Sequence, residues 1–428
     1  MQTAVTVTIG KIVRAMSRLR GGSGSALPGL VAERIDPYFM KRTLAQLPHG
    51  VVLISGTNGK TTTTKMVVEL LESQGLRVFT NPTGSNFTRG VAAALLGTVN
   101  IHGQLDVDIA VLELDEAHAV HFVRQVPPSY SLLLNVLRDQ LDRFGEIDYT
   151  ASLLHTIASA TTDGVVLNRD DPRLGSAEFV TGVTAPICTY GVSSDLLAQF
   201  PSDEAMRDVD AVVTMEQPTK HNDTQLDTVD GSHASISYAG AIHNVSLQLK
   251  GVYNVQNAVA AVALVRMVMQ DTLDESAMLG ALARVKPAFG RGETITIDGR
   301  SCELVLVKNP SGFRLSLGSF NPDGTAIMIA INDNYADGRD MSWLWDVEFE
   351  SLRVGGVDTV SGVRAYDMAL RLQYDEVAVR EVDTSLPSAL HGFIGHTGAQ
   401  PMRIFCTYTA MLAIRAELAK ITDVEALR

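Results

Sequence analysis

Short apolar runs and longer amphipathic segments alternate along the chain from residue 51 onward. Apolar residues recur at helical spacing in residues 61–73 and 90–96, and the shorter apolar runs between such segments predict β-strands. Those runs are residues 51–54, 76–80, 109–112, 131–136 and 164–167. Because strands that alternate with helices form βαβ units, the pattern predicts an α/β fold with a doubly wound, mostly parallel sheet.

The alternation stops in a polar stretch at 193–241, which predicts an insertion or a small β element at the periphery of the sheet. Helical spacing returns at 254–269, and Pro287 with the cluster Gly290-Arg291-Gly292 predicts a hinge. A second alternation follows, with apolar runs at 302–307, 326–331, 377–379 and 404–407. We therefore predict an N-terminal helical segment with its linker at 1–45, a central domain at 46–290, and a C-terminal α/β domain at 291–428.

The first twenty residues have the pattern of a basic amphipathic helix. Apolar residues recur at helical spacing, and Lys11, Arg14, Arg18 and Arg20 interrupt them. Two interpretations stay open, a helix packed on the next domain and a helix that touches an anionic bilayer surface. No run of apolar residues approaches the roughly 18 needed to cross a membrane.

Composition narrows the classes of function. The net charge of −13 argues against a general nucleic-acid-binding protein, which needs a basic face. Cys188, Cys302 and Cys406 lie far apart, which excludes a CxxC metal site and fits a reducing, cytoplasmic compartment.

A glycine-rich loop follows the first predicted strand and opens a helix. Backbone N–H groups in such a loop cradle phosphates, the lysine reaches the β- and γ-phosphates, and the threonine hydroxyl can bind Mg²⁺. The alternative is a glycine-rich turn without chemistry. The predicted nucleotide-binding residues are Gly56, Thr57, Asn58, Gly59, Lys60, Thr61 and Thr62.

Acidic residues follow the strand predicted at 109–112. Glu113 ends that run and is the first choice for a second Mg²⁺ ligand, because a carboxylate at this strand end lies beside the phosphate loop. Asp115 and Glu116 can instead begin the next helix, where acidic residues suit the helix dipole.

Together these motifs resemble the central ATPase domain of the Mur ligase superfamily. The similarity rests on the GTNGKTT loop, Glu113, the segment at 135–143 and the G-x-Y-N-x-x-N-A-x-A-A run at 251–261. It implies ATP-driven amide formation through an acyl phosphate with Mg²⁺, with Lys60 and Glu113 as catalytic residues. It further implies that Asn257 approaches the adenine and Arg291 the phosphates. The loop residues implied to face the acyl acceptor are Asn81, Thr83, Gly84, Ser85 and Asn86.

The C-terminal half resembles one branch of that superfamily, the MurT family of synthetase subunits of lipid II isoglutaminyl synthase. The residues that carry this similarity are 308–312, 332–346 and 362–365, and only 55 residues precede Gly56, too few for the nucleotide-sugar domain of other Mur ligases. The resemblance implies a Rossmann-like C-terminal domain and amidation of the D-glutamate α-carboxylate of lipid II. Two departures are Gln140, where most Mur ligases have a metal-binding His, and the missing four-cysteine zinc ribbon, so no structural zinc is expected.

The family resemblance also implies a partner chain. None of the three cysteines has a glutaminase context, so ammonia is expected from a separate GatD-type class I glutaminase in a heterodimer. Asp340 would orient the partner's catalytic His, whereas the alternative is a salt bridge with Arg339 or a helix cap. Trp343 and Trp345 could pack in the core or anchor that interface.

Rival functions stay open at this point. One is a folylpolyglutamate-synthase-like amino acid ligase, and the other is an ATP-binding regulatory subunit. The expected location is cytoplasmic, with at most peripheral contact with the inner face of the membrane.

Overall fold

The computed structural model describes residues 2–19, 27–82, 85–138, 147–200, 223–249, 251–286 and 291–424. Within these residues the chain forms a nine-stranded sheet followed by a six-stranded sheet, each covered by helices. The predicted α/β fold is thus confirmed. The linker at 21–25, Thr83, Gly84, Gln140 and the middle of the polar stretch, residues 201–222, lie outside the described residues.

The first sheet has the strand order β2-β3-β1-β4-β5-β6-β7-β8-β9. Strands β1 to β7 pair in parallel, and β8 and β9 add antiparallel hairpins at one edge. The strands are β1 Val51–Ser55, β2 Val78–Thr80, β3 Ile109–Glu113, β4 Tyr130–Leu133, β5 Gly164–Asn168, β6 Ile187–Val192, β7 Thr224–Asp230, β8 His233–Tyr238 and β9 Ala241–Ser246. The described part of the polar stretch therefore extends this sheet.

Helices cover both faces of the first sheet because its central strands are apolar on both sides. In β1, Val52 and Ile54 face a core shared with the helices Lys60–Ser73 and Val252–Met269, whereas Val51 and Leu53 face a second core. The helices of this part are α1 Gln2–Leu19, α2 Leu27–Ile35, α3 Phe39–Leu44, α4 Lys60–Ser73, α5 Thr88–Thr98, α6 Glu116–Val123, Ile147–Ala160, Val252–Met269 and Glu275–Leu282.

The second sheet has the order β10-β11-β15-β12-β13-β14, and apart from the antiparallel β10–β11 pair its strands are parallel. Its strands are β10 Arg291–Ile297, β11 Arg300–Leu306, β12 Ala326–Ala330, β13 Val357–Ser361, β14 Val379–Asp383 and β15 Met402–Cys406. Its helices are Pro310–Gly318, Ala365–Tyr374, Leu386–His396 and Tyr408–Leu418.

The hinge predicted at Pro287 and Gly290-Arg291-Gly292 stays a prediction, because residues 287–290 lie outside the described part of the chain. Arg291 and Gly292 begin β10, an edge strand that was not predicted and in which residues 294–297 alternate polar and apolar. Strand β13 was not predicted, since its sequence VDTVS is short and half polar although it is buried in the sheet.

Among the described helices, none combines the length and apolar character that crossing a bilayer requires.

Candidate active site

The direction in which strands are added reverses at β1, which lies between β3 and β4. Ligands of open α/β sheets bind at such a reversal, outside the carboxyl ends of the strands. The loop Gly56–Gly59 follows β1 there, and Gly59 has a φ of 90°. A Cβ at Gly59 would lie 2.5 Å from Oδ1 of Asn257, so the absence of a side chain allows Asn257 to lie directly beside the loop.

The side chain of Asn135, at the end of β4, fixes the glycine-rich loop. Its Oδ1 accepts a hydrogen bond from the Asn58 N–H at 2.8 Å, and its Nδ2 donates to the Asn58 carbonyl at 3.1 Å. The Thr57 N–H donates to the Asn135 carbonyl at 3.0 Å. The loop is therefore held in place from the neighbouring strand end.

Thr61 and Glu113 meet beside the loop, as the sequence predicted. The Thr61 hydroxyl donates to Oε1 of Glu113 at 2.9 Å, and both side chains are buried. A hydroxyl and a carboxylate oxygen are the hard ligands that Mg²⁺ prefers. In the described parts of the chain no three His, Cys, Asp or Glu side chains form a metal cage. This pair fits Mg²⁺, because that ion is usually held by one or two carboxylates together with substrate phosphates and water.

The ammonium group of Lys60 is buried among acceptors. It donates to the Gly56 carbonyl at 2.6 Å and lies 3.3 Å from Asp115 and 3.6 Å from Glu116. Glu116 also begins α6, so the two acidic residues serve as helix start and as partners of the lysine. Sequence reasoning missed this pairing, although all three residues follow adjacent strand ends.

The Asn81 side chain binds the backbone next to Glu113. Its Nδ2 donates to the carbonyls of Ser85 and Glu113, both at 2.9 Å, and its Oδ1 accepts from the Glu113 N–H at 3.0 Å. The Asn86 carbonyl accepts from the Asp115 N–H at 3.0 Å. The loop predicted to face the acyl acceptor therefore lies against the Glu113 strand end, and the Asn81 side chain holds it there.

A cavity of about 240 Å³ lies between the two α/β domains. The central domain contributes most of the phosphate loop, Asn257 and the carboxylates that follow β5, whereas Thr61, Glu113 and Asp340 are not among its lining residues. The second domain supplies a wall that sequence reasoning missed: Glu303, Lys308, Asn309, Ser316 and Arg403. The segment 308–312 contributed to the family resemblance but was assigned no role from the sequence. That segment was the one sequence feature from which this wall could have been predicted.

Asn309 joins the two domains at the cavity. It is 1 % exposed, its Oδ1 accepts from the Gly312 N–H at 2.8 Å and so caps the helix Pro310–Gly318. Its Nδ2 donates to Oδ1 of Asn58 at 3.1 Å, and the Asn58 amide donates back at 3.4 Å. The phosphate loop thus contacts the second domain through a reciprocal pair of amides.

Asp170 and Asp171, which follow β5, also line the cavity. Burial raises the pKa of Asp170 to about 6, although its Oδ2 accepts from the Val192 N–H at 2.7 Å. Burial likewise raises the pKa of Asp171. Neighbouring carboxylates with raised pKa values are typical of functional clefts.

Asp340 is not among the residues that line this cavity and lies in the segment that follows β12. Its Oδ1 accepts a hydrogen bond from the Ser342 N–H at 2.8 Å, and the bonds from Ser342 lower the pKa of its carboxyl. The N-cap of the short helix Ser342–Asp346 is Met341, so Asp340 is not the N-cap residue of that helix. The tryptophans divide, since Trp343 is buried in the core and Trp345 is 49 % exposed with its ring against Tyr374.

The predicted phosphate contact of Arg291 stays a prediction. Its backbone opens β10, and its side chain is not among the described parts of the structure.

Cys302 and Cys406 lack the properties of a glutaminase nucleophile. Burial raises the pKa of Cys302 to about 12 and that of Cys406 further, and Cys188 is half-buried in β6. A nucleophilic cysteine needs its thiolate, which an apolar environment disfavours.

Two family models match the chain, the Mur ligase middle domain at residues 54–265 and the MurT ligase C-terminal domain at 306–411. Subunit MurT of lipid II isoglutaminyl synthase (glutamine-hydrolyzing) from Streptococcus pneumoniae is 31% identical to this chain, over 94% of each chain. This chain belongs to the MurT family. The corresponding subunit from Staphylococcus aureus (strain COL) is 27% identical over 89% of each chain.

The solved structures include MurF ligase from Thermotoga maritima in complex with ADP. It shares 18% identity and a TM-score of 0.66, with 90% of this chain and 84% of that chain covered, and so shows the Mur ligase fold. Family membership confirms the predicted enzyme class, a carbon–nitrogen ligase of the Mur type.

Proposed function

We propose that this chain is the synthetase subunit that converts the D-glutamate α-carboxylate of the lipid II stem peptide to D-isoglutamine with ATP and ammonia. The names of its relatives in Streptococcus pneumoniae and Staphylococcus aureus support the substrate. The observation that carries the ATP-dependent step is the Thr61–Glu113 pair, which lies at 2.9 Å beside a phosphate loop at the strand-order reversal.

A carboxylate is a poor electrophile, because attack by ammonia would have to expel oxide. In the proposed reaction a carboxylate oxygen attacks the γ-phosphorus of ATP, the bond to ADP breaks, and an acyl phosphate forms. Ammonia then attacks the acyl carbon, inorganic phosphate leaves, and the nitrogen loses a proton. Such a sequence asks the protein mainly to position groups and to neutralise phosphate charge.

The loop amides of residues 56–60 would hold the phosphates, and Lys60 would exchange the Gly56 carbonyl for phosphate oxygens. Thr61 and Glu113 would hold Mg²⁺, which when bound supplies positive charge to the phosphates. Asn257 beside Gly59 would contact the adenine, and Arg291 the phosphates. The loop that contains Ser85 and Asn86 would bind the acceptor next to Glu113.

The ammonia would come from a GatD-type glutaminase partner, since the buried thiols of Cys302 and Cys406 do not suit a nucleophile. Asp340, a carboxylate with a lowered pKa outside the ATP cavity, would hydrogen-bond to the partner's catalytic His and fix its tautomer. Because the substrate is linked to a lipid, the complex would work at the cytoplasmic face of the membrane.

The test supplies the isolated chain with ATP, Mg²⁺, ammonium and the lipid-linked acceptor, and measures phosphate release together with amidated product. We expect the wild type to consume ATP and Lys60→Ala to lose roughly 10²–10³-fold in turnover, because a charge that stabilises the transferring phosphoryl group is removed. Wild type without ATP consumption under these conditions would overturn the proposal. Turnover with glutamate and folate in place of ammonium and lipid would favour the amino acid ligase, and ATP binding without turnover would favour a regulatory subunit.

A further inference from the structure

The first helix, α1, exposes an apolar stripe. Val5, Ile9, Ile12 and Met16 are 50%, 38%, 54% and 51% exposed. Their spacing of four, three and four residues places them on one face of the helix. Isolated apolar residues are common on protein surfaces, but a row of them along three turns of one helix indicates a surface that contacts something.

The opposite face of α1 fixes the helix to the central domain. Val7 is fully buried, and a Cβ at Gly10 would lie 2.6 Å from the side chain of Leu96, so α1 and α5 approach closely. The ammonium group of Lys11 donates to the Val99 carbonyl at 2.6 Å. The helix is therefore anchored without its apolar stripe, and the stripe is available to a partner.

The charge of the amino-terminal sequence indicates the kind of partner. Residues 1–32 contain four basic residues and no acidic residue, whereas the whole chain has a net charge of −13. A basic segment with an apolar helix face suits an anionic bilayer, which attracts the charge and takes up the apolar side chains at its interface.

The described contacts of α1 lie at the carboxyl-terminal end of α5. A Cβ at Gly10 would meet Leu96, and Lys11 bonds to the Val99 carbonyl, whereas the loop that contains Ser85 and Asn86 precedes the amino-terminal end of α5. With its 11 residues, α5 is about 16 Å long, so these contacts and the acceptor loop lie at opposite ends of that helix.

We propose that the apolar stripe of α1 docks the protein on an anionic membrane surface. The docking itself stands on the stripe and its charge, whereas its purpose, access to a lipid-linked acceptor, rests on the proposed function.

The test is co-sedimentation of the full chain with vesicles of phosphatidylcholine alone and of phosphatidylcholine with phosphatidylglycerol. We expect the wild type to bind the anionic vesicles preferentially, and Ile9→Glu with Ile12→Glu to lower the partition coefficient at least about tenfold, because two apolar side chains no longer enter the interface. Ile242→Glu is the matched control, since Ile242 is 69% exposed on β9, away from α1, and should leave binding unchanged.

Equal binding of the wild type and the stripe variant, or equal binding to both kinds of vesicle, would overturn the proposal. A wild type that dimerises through the stripe in sedimentation velocity and does not bind vesicles would assign the stripe to a second copy and also overturn it. ATP turnover with ammonium and a detergent-dispersed acceptor should be the same in wild type and stripe variant. A wild type without turnover would contradict the proposed function and leave the vesicle result standing.

Discussion

The two α/β domains use the same edge of a parallel sheet in opposite ways. In the central domain Lys60, after β1, and Glu113, the last residue of β3, are buried. Lys60 pairs with the carboxylates of Asp115 and Glu116, which follow β3, and Glu113 accepts a hydrogen bond from the Thr61 hydroxyl. In the second domain the segment after β12 carries Tyr335, which is 85% exposed, and the half-buried Asp340. One edge lines the cavity between the domains, whereas the other carries exposed side chains.

The exposed segment after β12 is nevertheless fixed at its base. The Asn332 N–H donates to the Thr407 hydroxyl at 2.9 Å, and Oδ1 of Asp337 accepts from the Thr409 N–H at 2.7 Å. A segment held in this way loses little conformational freedom when a partner binds. The segment after β12 is therefore exposed and yet fixed by hydrogen bonds to the residues that follow β15.

The largest effect is expected for Asp340→Asn in the complex with a glutaminase partner, which tests whether the exposed segment after β12 acts on that partner. If Asp340 orients the partner's His, glutamine hydrolysis should fall by roughly 10⁴-fold, because an amide favours the wrong imidazole tautomer. Amidation driven by free ammonium should persist, since Asp340 does not line the cavity between the two domains, where we propose that ATP binds. The control is Asp323→Asn, an exposed aspartate of the same domain, and unchanged hydrolysis in Asp340→Asn would remove that residue from the mechanism.

The reciprocal variant is Glu113→Gln in the central domain. The amide oxygen can still accept from the Thr61 hydroxyl, but the charge that would hold Mg²⁺ is lost, so ammonium-driven ATP turnover should fall by roughly 10²–10³-fold. Glutamine hydrolysis in the complex should be retained. Glu72→Gln, on the exposed side of α4, is the control. Normal ATP turnover in Glu113→Gln would show that this carboxylate has no part in phosphoryl transfer.

The edge in the central domain was the more predictable of the two. The loop at 56–62 and Glu113 each follow an apolar run that predicts a strand. Because the carboxyl ends of neighbouring parallel strands lie at the same edge of a sheet, their proximity follows from sheet geometry alone. The wall formed by Asn309 and Arg403 could not be found in this way, because it depends on how the second domain is placed on the first. The same holds for the ion pairs of Lys60, since adjacent strand ends fix neighbourhood but not the direction of each side chain.

Strand β13 and the edge strand β10 were missed for a different reason. Their sequences are short and half polar, and their pairing with neighbouring strands outweighs weak local preference.

The two edges also shift the pKa of a carboxyl group in opposite directions, and Asp170→Asn tests the raised pKa in the central domain. Hydrogen bonds lower the pKa of Asp340, whereas burial raises that of Asp170 from 3.8 to about 6. Between pH 3.8 and about pH 6, Asp170 keeps its proton in the folded protein but has lost it in the unfolded chain. The contribution of Asp170 to the free energy of unfolding therefore falls as the pH rises through this range, by roughly 2–3 kcal/mol in total.

The measurement compares the thermal unfolding midpoints of wild type and Asp170→Asn from pH 3.5 to 7.5, where each kcal/mol shifts the midpoint by about 2–4 °C. We expect the unfolding midpoint of the wild type to fall relative to that of the variant as the pH rises, and the difference to become constant above about pH 6. Asp323→Asn, exposed at a turn, is the control. A difference that is independent of pH would contradict the assigned shift.

The smallest expected effect concerns the contact that joins the two regions. Asn309→Ser keeps an oxygen that can cap the helix Pro310–Gly318 but is too short to reach Asn58. Loss of the two amide hydrogen bonds between Asn309 and Asn58 should raise the KM for ATP about fivefold to tenfold with little change in kcat. The reason is that the two walls of the cavity would then be joined by one or two fewer hydrogen bonds. Asn321→Ala is the control, and an unchanged KM in Asn309→Ser would show that this contact does not assist nucleotide binding.

The buried thiols have a practical consequence. Cys302 and Cys406 do not ionise near neutral pH, so maleimide-type probes will pass them by. With Cys188→Ser added, the chain becomes a chemically silent background for labelling. A fluorophore attached through Tyr335→Cys would then sit on the outward-facing segment, five positions before Asp340, and its emission would report in real time the arrival of another subunit.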